Sequence, residues 1–288
     1  MAESLDIRFL PADRASLEQR AAIMNAAYEG YYVPVRVTPE QLARFDDYHD
    51  VDLAHSVVVQ SRWEPVGMAL LARRGERAWI SAVGVLPAWR RRGIARDMMT
   101  HLLANARSLK VKRASLEVIA ENKPAQALYL SLGFRVQREL LTWRRPATAE
   151  PLPVPVERLA EMPSRRLLES YAGWHEQHAC WQREGATLGK MADRLKGFRL
   201  DWRGKPTAYC LVGGADSSDG AVSLMDVGVN PQSGLLMPGR LLLQALAVSY
   251  FGRPFSIMNV PADDSLGRIL AALDFHVAVR QVEMALDL

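Results

Sequence analysis

The fold is decided by residues 79–134, which begin WISAVGVLPAWRRRGIARDMM and end ENKPAQALYLSLGF. The first residues favour a strand that ends at Pro87, and the following apolar side chains recur with the spacing of one helical face. These side chains are Ala95, Met98, Met99, Leu102, Leu103 and Ala106. A second strand, RASLEVIA, and a short helix between Asn122 and Gly133 come next. The stretch therefore predicts the order strand, helix, strand, helix.

The junction between the first strand and its helix reads Arg90-x-x-Gly93-x-Ala95 and predicts an anion-binding turn. The first N–H groups of a helix have no partner within the helix, and the helix dipole adds a partial positive charge there. Gly93 lets the backbone approach a ligand, and the side chains of Arg90, Arg91 and Arg92 suit phosphate oxygens. The pattern is neither a Walker loop nor a Rossmann GxGxxG. Alone, it is also compatible with a solvated, arginine-rich surface turn.

The order of strand, RxxGxA junction and later LEV…N…ALYxxLGF pattern resembles the GNAT family of acetyl-CoA-dependent N-acetyltransferases. The resemblance covers 77–145 closely and 5–76 more weakly, and Ala95 stands where a glycine is the alternative. It implies an α/β (α+β) fold in which a mixed, mostly antiparallel central sheet is flanked by helices. It also implies transfer of an acetyl group from acetyl-CoA to a primary amine, on a small molecule or a peptide, by direct attack in a ternary complex.

The same resemblance implies where coenzyme A binds. The pyrophosphate is expected on the RxxGxA turn, and the preceding strand is expected to splay and pair with the pantetheine arm. The residues expected to bind the cofactor are Val83, Gly84, Val85, Arg90, Arg91, Arg92, Gly93, Ile94, Ala95, Arg96, Asn122 and Tyr129. An asparagine at position 122 would also cap the helix that follows it, whatever its role in binding.

Acetyl transfer to an amine poses two proton problems. An ammonium must lose a proton before it attacks, which a carboxylate can accept directly or through water, and a phenol can protonate the departing thiolate. The resemblance places that phenol at Tyr129, although a tyrosine there could simply pack on the sheet. Glu117, twelve residues earlier, resembles the base of the ribosomal-protein N-terminal acetyltransferases, and Glu29 is the rival base.

Two further groups of residues are candidates for contacting the acceptor. Tyrosines at 28–32 and aspartates at 46–52 would suit a cationic amine, although acids in loops are more often merely solvated. An aromatic and histidine cluster in the second half could face a cleft. Its members are Trp174, His175, His178, Cys180 and Trp181, and their spacing does not supply four zinc ligands.

The bulk composition is that of a globular protein. The 288 residues allow two domains, and a formal charge of +4 without a nucleic-acid-binding motif does not indicate a nucleic-acid partner. Cys180 and Cys210 form neither a disulfide framework nor a metal signature. The polar N-terminus and the lack of a long apolar run predict no signal peptide, no membrane partner and a cytoplasmic location. A monomer and a homodimer are both compatible with the sequence.

The second half repeats the first. GVLPAWRRRGIARDMMTHLLANA aligns with GVNPQSGLLMPGRLLLQALAVSY, and ASLEVIAENKPAQALYLSLGF aligns with PFSIMNVPADDSLGRILAALDF. A proline-rich stretch over 146–155 predicts a stiff linker. The sequence therefore predicts a catalytic domain over 1–147 and a degenerate copy over 152–288.

The second copy keeps the apolar pattern and loses the candidate chemistry. Gly234, Met237, Pro238 and Gly239 align with Arg90, Gly93, Ile94 and Ala95, and Leu270 aligns with Tyr129. Proline has no N–H to donate. A single active copy is therefore the first hypothesis, and a non-catalytic regulator that binds acetyl-CoA is the alternative.

Overall fold

The computed structural model describes residues 6–147, 152, 159–215, 220–234 and 236–288. The chain divides into two compact units. The first unit comprises residues up to Gln137 together with Val282–Leu288, and the second comprises Arg138–Gln281.

The first unit is a sheet with helices packed on it. Its described elements, in chain order, are β1 (Ile7–Pro11), α1 (Leu17–Ala27), α2 (Pro39–Tyr48), β2 (Val57–Ser61), β3 (Glu64–Arg74), β4 (Arg77–Val85), α3 (Ile94–Ser108), β5 (Arg113–Ile119) and α4 (Lys123–Ser131). The strands follow the order β1-β2-β3-β4-β5, and the only parallel pair within this run is β4–β5.

Local sequence explains where the helices of this unit begin. Ser16 and Thr38 cap α1 and α2, and each forms a capping box with a glutamine three residues later. The apolar stripe predicted for α3 is buried against the sheet, with Met98, Met99 and Leu102 fully enclosed. The predicted helix after the RxxGxA turn is therefore confirmed.

The second unit repeats this order of elements. Its described elements are β6 (Arg135–Arg145, from Arg138 onward), β7 (Leu159–Pro163), α5 (Ser164–Tyr171), α6 (Gly185–Met191), β8 (Lys196–Trp202), β9 (Lys205–Gly213), β10 (Val222–Val229), α7 (Leu236–Ser249), β11 (Phe255–Pro261), α8 (Ser265–Ala271) and the first half of β12 (His276–Asp287). Here β10 and β11 form the parallel pair. The predicted fold class, a mixed and mostly antiparallel sheet with flanking helices, is confirmed in both units.

The bounds of the two units differ from the predicted division at 147–152. The strand beside β5 is the end of β12, and the strand beside β11 is β6. The first unit therefore takes its last strand from the end of the chain: Met284 is fully buried in its core, and the Leu288 N–H donates to the Lys112 carbonyl at 2.9 Å. Most of the linker predicted over 146–155 lies outside the described residues.

Among the described helices, none is both long enough and apolar enough to cross a membrane.

Candidate functional site

The strands β4 and β5 separate partway along their length. Their parallel pairing extends from Arg77 and Arg113 to Trp79 and Ser115, although β4 continues to Val85. A β-bulge at Ser81, where β4 leaves register with β3, bends the strand at this point. The predicted splay of the strand is therefore present, and it leaves a wedge between β4 and β5.

A cavity of about 680 Å³ occupies this wedge and extends to the start of α3. Its lining includes most of the residues predicted to bind a cofactor, and Tyr129 as well. The predicted residues in the lining are Val83, Gly84, Val85, Arg90, Arg91, Gly93, Ile94, Ala95, Arg96, Asn122 and Tyr129. Three other predicted residues, Arg92, Glu117 and Glu29, lie outside the lining.

The turn before α3 presents a row of backbone N–H groups. Gly93 adopts a φ of 84°, in the left-handed region that favours glycine, and precedes the first helical residue. Arg91 also has a positive φ of 64°. None of the N–H groups of residues 91–96 donates to another described residue. We call residues 91–96 the anion cradle, because donors of this kind at a helix start bind phosphate and carboxylate groups.

Gly84 allows the end of α1 to approach β4 closely. A Cβ atom at position 84 would lie 2.8 Å from the Cβ of Ala27 and 3.3 Å from the ring of Tyr28. Any side chain there would push α1 away from the wedge. The glycine thus shapes the cavity wall, in addition to its predicted role beside the cofactor.

The arginine side chains of the motif make contacts that the sequence did not predict. Arg90 donates from Nε to the Val85 carbonyl at 3.1 Å and from Nη2 to the Ala27 carbonyl at 2.9 Å. The guanidinium of Arg92 lies 5.0 Å from the centre of the Trp89 ring. Arg96 donates to the Ser131 hydroxyl of α4 at 2.8 Å. These bonds hold the wall of the cavity together.

Tyr129 lies at the base of the cavity beside two other tyrosines. Burial raises its pKa above the ordinary value for a phenol, and the neighbouring Tyr28 and Tyr31 raise it further. Burial also raises the pKa of Tyr28 to about 12, although a hydrogen bond with the Val83 backbone opposes the shift. All three hydroxyls are therefore protonated near neutral pH.

The side chain of Asn122 makes two hydrogen bonds. Its Oδ1 accepts from the Ala125 N–H at 3.3 Å and caps α4, as expected for an asparagine at this position. Its Nδ2 donates to the Tyr31 hydroxyl at 3.4 Å. That bond opposes the burial that raises the pKa of Tyr31.

Comparison with known sequences agrees with the geometry. The sequence profile described as Acetyltransferase (GNAT) family matches residues 20–134, which include the wedge, the anion cradle and Tyr129. Residues 20–134 are a GNAT-family domain. No curated protein matches the chain.

Solved structures extend the likeness to the whole chain at the level of the fold. A GCN5-related N-acetyltransferase from Sphaerobacter thermophilus is 16% identical, with a TM-score of 0.72 over 98% of this chain and 95% of that one. A tandem GNAT protein from the clavulanic acid biosynthesis pathway is 17% identical, with a TM-score of 0.73 over 98% of each chain. The tandem GNAT fold follows from these likenesses.

The two carboxylates predicted as bases lie at different places in the GNAT domain. Glu117 accepts a hydrogen bond from the Trp79 indole N–H at 2.7 Å. The ring of Trp79 lies 6.0 Å from the ring of Phe45 in α2 and 5.5 Å from that of His49, which follows α2. Glu29 is exposed just beyond the end of α1. No Asp, Glu or His is among the described residues that line the cavity.

The aspartates of the α2 region form ion pairs within the GNAT domain. Asp46 is buried against Arg20, and Asp50 pairs with the Nε of Arg74 at 2.7 Å. Asp52 contacts the His55 ring at 2.9 Å. Asp46 and Asp50 therefore neutralise arginines of their own domain, which the sequence could not show because each arginine lies far away in the chain.

In the second unit, a segment of the chain occupies the gap between β10 and β11. The pairing of β10 with β11 is recorded at Val222 and Ser223 only. The segment 172–179 lies where the strands separate: its Trp174 carbonyl accepts from the Val229 N–H at 2.9 Å, and Glu176 accepts from the Ser265 N–H at 2.9 Å. Val229 aligns with Val85, so the strand edge predicted to pair with pantetheine is already bonded here. A cavity of about 40 Å³ remains.

The aromatic and histidine cluster predicted in this half holds the segment in place. His175 Nε2 lies 2.9 Å from the carboxylate of the buried Asp226, to which its N–H donates, and Asp226 also accepts from the Tyr209 hydroxyl at 2.6 Å. Arg183 lies 3.6 Å from the same carboxylate. Among the described residues, no three His, Cys, Asp or Glu side chains lie together in a way that could hold a metal ion.

The start of α7 also differs from the anion cradle. Pro238 contributes no N–H, and a Cβ at Gly239 would lie 2.6 Å from the side chain of Ile269. Gly239 therefore serves the packing of α7 against α8 rather than the approach of a ligand.

Proposed function

We propose that the GNAT domain is an acetyl-CoA-dependent N-acetyltransferase that acts on primary amines by direct attack in a ternary complex. The observation that carries the proposal is the continuity of three features in one cavity: the N–H groups of residues 91–96, which donate to no other described residue, the end of β4 where it has separated from β5, and the buried hydroxyl of Tyr129. The acceptor is a small molecule or a peptide amine.

The cavity fits the cofactor in size and chemistry. A volume of about 680 Å³ lies in the range of sites for ligands of this size. Residues 91–96 would hold the pyrophosphate, and residues 83–85 and Asn122 would line the pantetheine arm. Bound acetyl-CoA would supply an acetyl group activated as a thioester.

Side chains of this domain would donate and accept the protons of the reaction. Tyr129 Oη is protonated at neutral pH and would donate its proton to the departing sulfur. Glu117 would take a proton from the acceptor ammonium through water, with the Trp79 N–H fixing the orientation of the carboxylate. Glu29, exposed just beyond the end of α1, is the alternative base.

One observation favours a second candidate function, a regulator that binds acetyl-CoA without turning it over. No Asp, Glu or His is among the described residues that line the cavity, so neither carboxylate contacts the wedge directly. A regulator needs the anion cradle but no base.

An amine-panel assay separates the two candidates. The full chain is mixed with acetyl-CoA and single amines, and the release of free thiol is followed. We expect release that depends on one class of amine. Tight binding of acetyl-CoA with no amine-dependent release would favour the regulator.

A further inference from the structure

The first arginine of the RxxGxA motif is tied to two backbone carbonyls. Arg90 donates from Nε to Val85, the last residue of β4, and from Nη2 to Ala27, the last residue of α1. A cation at a helix C-terminus satisfies carbonyls that lack partners and complements the helix dipole. The fork of the guanidinium spans both carbonyls at once, which a single ammonium cannot do.

The end of α1 carries the aromatic side chains of the cavity. Tyr28 follows Ala27 directly, and its hydroxyl bonds with the Val83 backbone. The Tyr28 and Tyr31 rings are 5.0 Å apart, and both influence the Tyr129 hydroxyl electrostatically. The contact between α1 and β4 at Gly84 leaves no space for a side chain, so a small shift of α1 changes the cavity wall.

We propose that Arg90 is a positioning residue for acetyl transfer, and not a ligand of the pyrophosphate. It fixes the end of α1, and with it the tyrosine pair Tyr28 and Tyr31, against the end of β4. Anion recognition belongs to the backbone of residues 91–96 and to Arg91, which lines the cavity. The expected effect on turnover rests on the proposed function, whereas the role of Arg90 in holding α1 against β4 does not.

If Arg90 positions α1 in this way, its replacement should lower the rate of turnover and leave the binding of acetyl-CoA nearly unchanged. Screening by salt weakens contacts between charges, so an arginine that binds phosphate contributes to the salt dependence of affinity. An arginine bonded to two neutral carbonyls contributes little to that dependence. Its loss instead releases the end of α1, and misplacement of groups around a reacting centre can lower the rate by about 10²-fold.

The test compares Arg90→Lys and Arg90→Gln with Arg91→Gln in the full chain. Coenzyme A affinity is measured by calorimetry between about 50 and 300 mM salt, and hydrogen exchange is followed in the peptide that covers 24–32. Arg107→Gln, which removes an exposed arginine from α3, is the control for loss of one charge. Once an acceptor is known, kcat and the KM for acetyl-CoA complete the comparison.

We expect both Arg90 variants to exchange faster over 24–32, to keep the native salt dependence, and to lose kcat by about 10–100-fold with a nearly unchanged KM. Arg91→Gln should flatten the salt dependence and leave exchange unchanged. The proposal is overturned if Arg90→Lys keeps native kcat, or if Arg90→Gln flattens the salt dependence without changing exchange. If no amine is acetylated, the proposed function fails, and the salt and exchange measurements still decide the role of Arg90.

Discussion

At the scale of the residue, the site depends on burial of a phenol. Tyr129 has a raised pKa because water is excluded around it and because Tyr28 and Tyr31 stand beside it. A phenol with a raised pKa stays protonated at neutral pH and can donate a hydrogen bond to the departing sulfur. A thiolate is a weaker base than a phenolate, with ordinary pKa values of about 8.5 and 10, so this bond would strengthen only as negative charge develops on the sulfur and would contribute little to ground-state binding.

Tyr129→Phe tests that role directly. The variant keeps the ring and its packing against Phe134, at 6.1 Å between ring centres, and removes only the hydroxyl. We expect kcat to fall by about 10²–10⁴-fold, as is usual when a general acid is removed, with acetyl-CoA affinity nearly native. Tyr250→Phe, in the second unit, is the control and should keep native kcat. A kcat within about threefold of the native value would remove Tyr129 from the mechanism.

At the scale of the element, the second unit has a segment of its own chain where the first unit has a cavity. The segment 172–179 bonds to the edge of β10 and to the start of α8. Both ring nitrogens of His175 have acceptors, the Ala172 carbonyl and Asp226, which favours the doubly protonated ring. Burial disfavours that charge, but the hydrogen bond and the charge of Asp226 outweigh it, and the pKa of His175 is raised.

The stability of the second unit should therefore depend on pH through His175. Because the folded-state pKa is raised, the stabilisation is complete below the unfolded pKa of about 6.5 and is lost as pH rises through the folded value. The pKa of Asp226 is lowered, since His175 and Arg183 outweigh its burial, so its contribution persists above about pH 4 and is lost as pH falls through its folded value. The other ionisable groups around the pair include Tyr209, Cys210, Glu176 and Asp264.

Urea unfolding followed by tryptophan fluorescence can measure this dependence. The loss of stability in His175→Gln should be largest between about pH 4.5 and 6.5 and should shrink at alkaline pH, where the native ring also lacks its second proton. His276→Gln, at an exposed site on β12, is the matched control. A loss that is constant across this range would contradict the charged pair.

At the scale of the whole molecule, the chain order of the two units is interrupted by an exchange of terminal strands. Val282, Leu286 and Leu288 pack against the core of the first unit around the fully buried Met284. A fragment that ends at residue 147 therefore lacks part of that core. We expect such a fragment to be unstable because the strand that completes the core of the first unit is missing.

Met284→Ala isolates this effect in the full chain. Removing a buried methionine should lower the free energy of unfolding of the first unit by about 2–5 kcal/mol. Arg280→Ala, four residues earlier, removes a half-exposed pair with Glu139 and should cost at most about 1 kcal/mol. Equal and small losses in the two variants would show that the end of β12 does not belong to the core of the first unit.

Much of this arrangement could be predicted from the sequence, because it depends on local signals. The helix after the RxxGxA turn follows from the spacing of neighbouring apolar residues, and the second copy follows from the alignment of two stretches of the sequence with two others. The exchange of terminal strands could not be predicted, since VQRELLTW and VAVRQVEMAL share one alternating pattern and either can pair with either sheet. The hydrogen bond between Trp79 and Glu117 was also missed, because the two residues lie far apart in the chain. The carbonyl contacts of Arg90 were missed because a guanidinium suits a carbonyl as well as a phosphate.

The measurement that tests the account most directly is calorimetric titration of the full chain with acetyl-CoA. Gly93 in the anion cradle has a φ of 84°, and Gly234, which lies shortly before α7 in the second unit, has a similar φ of 78°. Proline fixes φ near about −65°, so Gly93→Pro removes the cradle and Gly234→Pro is the matched control, with circular dichroism as the check on folding. We predict one acetyl-CoA per chain, an affinity weakened about tenfold or more by Gly93→Pro, and native affinity in Gly234→Pro. Two comparable sites per chain, or native affinity in Gly93→Pro, would contradict the account.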